Sequence, residues 1–293
     1  MPYAVSKGVR LYYEEAGKGV PIVFVHEFSG DLRSWEPQMR HFSRRYRCVA
    51  FNARGYPPSD VPKTPAKYSH RIAVDDIANL MRRLGIGQAH SVGCSMGPYS
   101  TLQFGLRYPR RARSLTVVGA GAGADPARRA EFLKTSAASA RRFEEGGLAA
   151  AMKPYRNAAN RIQLESKDPR AWRDFFKRFS ERSALGHANT IRGVQMRRPP
   201  LQSMGGEFAR LKVPLLVVVG DEDESSLDTG LFLKRACPAA RLAIVAASGH
   251  VVNVEEPEYF NRITRDFLNL VDSGRWRPRD PRSLNPSTMA RKV

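Results

Sequence analysis

Six short, mostly apolar runs set the terms on which this chain can fold. They span residues 20–26 (VPIVFVH), 47–53 (RCVAFNA), 90–94 (HSVGC), 114–120 (SLTVVGA), 214–220 (PLLVVVG) and 241–246 (RLAIVA). Runs this short, without the alternation of a half-wetted strand, read as strands buried on both faces. Such strands belong to a parallel sheet covered by helices on either side. The stretches between them supply helices. Residues 34–42 follow the first run. Residues 72–84 carry Ile77, Leu80, Met81 and Leu84 at spacings of three and four, and end at Gly85. Residues 98–108 stop before Pro109, and 258–270 place Phe260, Ile263, Phe267 and Leu270 on one face. Ahead of them, 3–6 and 9–15 read as a hairpin joined through Lys7-Gly8. The expected fold class is α/β, a mostly parallel central sheet flanked by helices.

Residues 124–212 break that rhythm. They hold no convincing buried strand and read as helices over 128–143, 147–157, 170–183 and 188–197. In the third, Trp172, Phe175, Phe176 and Phe179 form an amphipathic stripe, suited to core packing or, in part, to a substrate pocket. This stretch carries 19 basic and 9 acidic residues, half the surplus of a chain whose net charge is +20. An inserted helical lid fits. The expected division is a first part of the core at 1–123, the lid at 124–212, a second part at 213–273, and a flexible basic tail at 274–293. That tail has three prolines and six basic residues against one acid.

At 293 residues the chain can bury one sizeable core and carry such an insertion. No apolar run approaches the roughly 18 residues of a membrane span. The first eight residues lack a signal-peptide layout. Three sparse cysteines, Cys48, Cys94 and Cys237, form no disulfide framework. A cytoplasmic location is expected. Arginine is scattered and no nucleic-acid-binding motif is present, so the charge predicts no nucleic-acid partner. It gives a favourable field for small anionic substrates, or is simply an incidental arginine-rich composition.

The chemistry centres on Gly93-Cys94-Ser95-Met96-Gly97, between a strand and a helix. G-x-S-x-G at such a junction is a nucleophile elbow, in which small neighbours let the serine stand out at the sheet's edge. Pro98, near the start of the helix, lacks an N–H that would be unsatisfied there. A serine needs a base. His250, in Ser248-Gly249-His250-Val251 after the last apolar run, is the best placed of the six histidines. The base needs an acid to fix its tautomer. Asp221, Glu222, Asp223 and Glu224 all follow the strand at 214–220 and compete for that role.

These motifs, in the order Ser, Asp, His, resemble the α/β-hydrolase superfamily, in its lid-bearing branch of esterases, lactonases, C–C hydrolases and cofactor-free haloperoxidases. The resemblance covers about residues 8–272. It includes Trp35, Arg54-Gly55-Tyr56 with Ser59-Asp60, the elbow, and Ser248-Gly249-His250 followed by Glu256-Pro257-Glu258. It implies Asp223 as the acid, three residues after the strand-end glycine, and an oxyanion hole from the backbone N–H groups of Met96 and Phe28. It implies no metal and no organic cofactor. The implied activity is cleavage of a small carboxylic ester, thioester or lactone through an acyl-enzyme. C–C bond hydrolysis or perhydrolysis would use the same residues, and a non-catalytic binding protein on this scaffold is a rival of another class. A serine at the elbow argues against epoxide hydrolase or dehalogenase chemistry, for which the resembling enzymes carry Asp there.

Two departures stand out. His26-Glu27 replaces the usual His-Gly before the oxyanion residue, which makes His26 and Glu27 candidates for a substrate or loop role. A carboxylate there must turn away, meet a cation, or contact a polar substrate group. Asn52 and Pro57-Pro58 stand where the family tends to show Asp and a glycine, and predict altered loop geometry.

Overall fold

The computed structural model describes residues 2–284. Strands β1 (Tyr3–Ser6), β2 (Val9–Ala16), β3 (Val20–Val25), β4 (Tyr46–Phe51), β5 (Ala89–Cys94), β6 (Ala112–Val118), β7 (Leu215–Gly220) and β8 (Ala240–Val245) form one eight-stranded sheet in the order β1-β2-β4-β3-β5-β6-β7-β8. The pairs β1–β2 and β2–β4 are antiparallel, and all other neighbours are parallel. Every residue of β5 and β7 is buried, which is why their sequences are continuous apolar or small runs.

Helices α1 (Glu36–Phe42), α2 (His70–Arg83) and α3 (Met96–Arg107) follow β3, β4 and β5. Between β6 and β7 the chain leaves the sheet for α4 (Arg129–Met152), α5 (Ile162–Lys167), α6 (Pro169–Ser180), α7 (Ala184–Thr190) and α8 (Gly205–Ala209). Helix α9 (Glu224–Ala236) joins β7 to β8, and α10 (Val252–Glu255) and α11 (Pro257–Asp272) close the fold. On one face of the sheet Leu80, Phe104, Leu115, Val217, Phe208 and Leu233 share a core. On the other, Phe24, Trp35, Phe42, Val218, Phe260 and Phe267 share a second. Each large side chain so buried stabilises the fold by roughly 1.5–3 kcal/mol. No helix among the described residues is long and apolar enough to cross a membrane.

The insertion differs in detail from its sequence pattern. The expected break near 147 is present: Gly147 takes φ 63° and ψ −162°, which no helix holds, so two helical pieces meet there at a kink within α4. Helix α5 has no counterpart in the pattern. The helix expected at 188–197 starts earlier, where Ser183 Oγ caps it by accepting from the Gly186 N–H, and ends in a π-helical turn at Ile191–Gln195. Of the aromatic stripe, Phe175 and Phe179 are buried beside Phe143, and this cluster extends to Phe28, Tyr56 and Met96 at the carboxyl end of the sheet. Helix α9 was not expected. Its buried face is Ser226, Thr229, Gly230 and Leu233, too polar to show a stripe.

The described part of the tail expected from 274 makes contacts of its own. Trp276 packs edge-on against Phe267 at 4.9 Å, with the Arg241 guanidinium 4.9 Å from its ring. The Arg279 N–H donates to the Pro238 carbonyl at 2.8 Å. An indole with apolar and cationic neighbours is enough to dock this segment. Residues 285–293 lie outside the described residues.

Ion pairs tie the insertion to the loop after β3. Buried Asp31 meets Arg33 at 2.7 Å and Arg182, from the insertion, at 3.4 Å. Arg33 also reaches Glu181 at 2.7 Å. Burial alone would raise the Asp31 carboxyl, but Arg33 and Arg182 hold it down at about 2. A depressed carboxylate contributes stability that is fully present above its unfolded value, near 4, and lost as pH falls towards about 2. Asp31→Asn is therefore expected to lower the urea midpoint at pH 7, with the difference from wild type shrinking between pH 4 and pH 2. A difference independent of pH would show that the charge of Asp31 is not what stabilises.

Candidate active site

Ser95 lies between the last residue of β5 and the first of α3, with φ 57° and ψ −98°. A non-glycine residue rarely holds a positive φ. Close packing around the turn enforces it here. A Cβ on Gly93 would stand 2.6 Å from the Gly97 backbone and from Thr101 Oγ1, and one on Gly97 would stand 2.3 Å from the Val25 carbonyl oxygen. The Ser95 N–H donates to the Val118 carbonyl at 2.8 Å.

The loops after β7 and β8 bring the other two residues to this turn. His250 Nε2 lies 2.7 Å from Ser95 Oγ, and His250 Nδ1 lies 2.7 Å from Asp223 Oδ2. Of the four competing acids, it is Asp223 that reaches the histidine. Asp221 accepts the Ser248 N–H at 3.1 Å. Asp223 is fully buried, and burial alone would raise its carboxyl. The His250 imidazole hydrogen-bonded to it, with the Ser225 hydroxyl donating at 2.9 Å, keeps it below the usual carboxylate range. An ionised Asp223 accepts from Nδ1–H, which leaves Nε2 free to accept the Ser95 O–H. The histidine loop is held from two sides. Glu255 accepts the Gly249 N–H at 2.5 Å and the Val251 N–H at 3.2 Å, and the His250 N–H donates to Asn160 of the insertion at 2.9 Å.

The loop after β3 supplies the facing wall. His26 Nε2 accepts the Ala53 N–H at 3.0 Å, so its proton sits on Nδ1, directed at the Glu27 carbonyl at 2.6 Å. Burial pushes this imidazole down to about 4, and it serves the loop as a neutral ring. Asn52 accepts the Leu32 N–H at 2.9 Å and donates to the Pro57 carbonyl at 2.7 Å, bridging this loop to the diproline turn. The Glu27 carboxylate meets the Arg161 guanidinium, and both side chains are buried. Ser29 Oγ joins them, donating to Glu27 at 3.0 Å and accepting from Arg161 at 2.8 Å. Burial would raise the Glu27 carboxyl, but Arg161 outweighs it and holds it low.

Ser95, His250, Phe28 and Met96 line a small cavity of about 170 Å³ together with Tyr155, Asn160, Arg161 and Arg198 of the insertion. As the first residue of α3, Met96 has no intrahelical acceptor for its N–H. Neither that N–H nor the Phe28 N–H has a hydrogen-bond partner among the described residues. The arrangement can deprotonate a serine and hold the imidazolium that results. Sequence reasoning missed the insertion's contribution, because Asn160, Arg161 and Arg198 belong to no local motif. The one available signal was Glu27, a carboxylate in need of a distant cation. Glu27→Gln should destabilise the protein by about 3–5 kcal/mol, because it strands Arg161 as an unpaired buried charge. The double variant with Arg161→Met should lose less than the two single losses summed, as read from urea melts. Additive losses would mean that the pair does not act as a unit.

The sequence profile described as the alpha/beta hydrolase fold matches residues 20–257. The chain is similar to 3-oxoadipate enol-lactonase 1 of Acinetobacter baylyi, 24% identical over 85% of this chain and 89% of that one. It is also similar to 2-hydroxy-6-oxononadienedioate/2-hydroxy-6-oxononatrienedioate hydrolase of Burkholderia vietnamiensis, 25% identical over 89% of this chain and 91% of the other. Among solved structures, the enol-lactonase from Burkholderia xenovorans superposes with a TM-score of 0.78 at 24% identity, covering 92% of this chain and all (100%) of that one. With the profile spanning most of its length, the chain belongs to the α/β-hydrolase fold family.

Proposed function

We propose that this protein is a serine hydrolase that cleaves a small carboxylic ester, thioester or lactone through an acyl-enzyme. The observation that carries this reading is the unbroken line Ser95–His250–Asp223, with both contacts at 2.7 Å and the serine opening on the cavity. In the proposed reaction Ser95 Oγ attacks the carbonyl carbon while His250 Nε2 takes its proton. Asp223 stabilises the imidazolium without accepting the proton. The Met96 and Phe28 N–H groups receive the oxyanion, helped by the positive end of α3. The imidazolium protonates the leaving oxygen or sulfur as the tetrahedral intermediate collapses. Water, deprotonated by His250, then releases the acid and regenerates Ser95. The Arg161 partner of Glu27 keeps that carboxylate's charge compensated near the oxyanion.

The insertion at 124–212 would act as the lid that selects the substrate, and its basic surplus favours a substrate with negative charge. The three buried, unbridged thiols suit a reducing, cytoplasmic setting. Cleavage of a C–C bond is the second reading, favoured by the similarity to the Burkholderia vietnamiensis hydrolase. A panel of aryl esters and ring-fission products separates the two.

A fluorophosphonate probe should give one adduct, mapped by mass spectrometry to Ser95 and absent in Ser95→Ala. Asp223→Asn should lower kcat by about 10⁴, the scale of the same change in a serine protease, with the fold intact. An unlabelled but folded protein, or an Asp223→Asn variant of normal rate, would overturn the serine hydrolase reading.

A further inference from the structure

Four arginines are buried among the described residues: Arg54, Arg161, Arg182 and Arg198. Arg54 meets Asp76 at 2.6 Å, Arg182 meets Asp31 at 3.4 Å, and Arg161 meets Glu27. Arg198 alone of the four has no carboxylate partner within the described residues. Its Nη2 donates to the Ala122 carbonyl at 2.8 Å, while Nε and Nη1 have no partner. The guanidinium is stacked on Tyr99, with Cζ 3.4 Å from the ring centroid, so its plane is fixed before any ligand arrives. Arg129 donates to the Arg198 carbonyl at 3.0 Å and adds a second positive charge nearby. Arginine cannot shed its proton, and a buried cation without a counter-charge is costly. Arg198 lines the cavity onto which Ser95 and His250 open.

We infer that Arg198 receives a carboxylate carried by the substrate, so that the enzyme prefers monoesters or lactones of dicarboxylic acids to neutral esters. This rests on the hydrolase reading above and adds its specificity residue. The carboxylate would supply the missing counter-charge, and it would fix the distance between the substrate's anionic end and its scissile carbonyl. Arg161, already neutralised by Glu27, would remain a wall of the cavity.

The test compares mono-4-nitrophenyl glutarate with its methyl-capped neutral counterpart. Wild type should favour the anionic ester by at least about tenfold in kcat/KM, mainly through KM. Arg198→Met should bring that ratio close to one, and Arg198→Lys should keep part of it. A wild-type ratio near one would overturn the inference. So would an Arg198→Met variant in which both esters slow equally and the ratio persists, because that marks a merely structural arginine. Binding gives a readout independent of turnover. Ser95→Ala protein should bind monomethyl glutarate by calorimetry, and adding Arg198→Met should weaken this at least about tenfold. Equal binding by the two proteins would again overturn it. Failure of Ser95 labelling with Arg198-dependent binding intact would remove the hydrolase reading and leave the anion site standing. Labelling without anion preference would do the reverse.

Discussion

Helix α3 begins so close to the end of strand β3 that a methyl group on Gly97 would overlap the Val25 carbonyl. This contact sets the geometry of the site. It leaves the chain one sharp turn in which to pass from strand to helix, and Ser95 takes the left-handed conformation that such a turn demands. The same contact brings the first turn of α3, with its free N–H and its positive end, up to the serine. Because β5, β7 and β8 run parallel to β3, the loops that follow them emerge at one edge of the sheet. Residues as distant in sequence as Ser95, Asp223 and His250 thus meet by strand direction alone.

Some of this was legible in the sequence, for physical reasons. Strands buried on both faces must be apolar throughout, which located five of the runs to within a few residues, while the sixth, β8, is a half-exposed edge strand that its apolar residues still revealed. The elbow tolerates so few residue types that its glycines announce it. Composition did not separate Asp223 from its three acidic neighbours. Only the family spacing favoured it, and burial beside His250 is what distinguishes it. Helix α9 stayed hidden because it packs through serine, threonine and glycine.

The arginines show where single-sequence reading runs out. A large basic surplus reads as surface charge, and most of it is. Yet three buried guanidiniums are matched to carboxylates, two of them far away in the chain. Arg161 and Glu27 lie 134 positions apart, and Arg182 and Asp31 lie 151 apart. No local pattern encodes such pairs, because each half makes sense only once the sheet and the insertion have packed. The departure at Glu27 is understood the same way: its partner lies in the insertion, beyond reach of any motif.

Those pairs also bear on how such a protein can be recombined. Glu27 and Asp31 belong to the sheet's loop, Arg161 and Arg182 to the insertion, and the backbone of Asn160 steadies the histidine loop. The insertion is therefore no interchangeable module. A chimera that received the corresponding segment of a relative would inherit a stranded Glu27 carboxylate, an Asp31 left to Arg33 alone, and an unsupported histidine turn. Positions 27, 31, 161 and 182 form a linkage group, to be inherited or exchanged as a set.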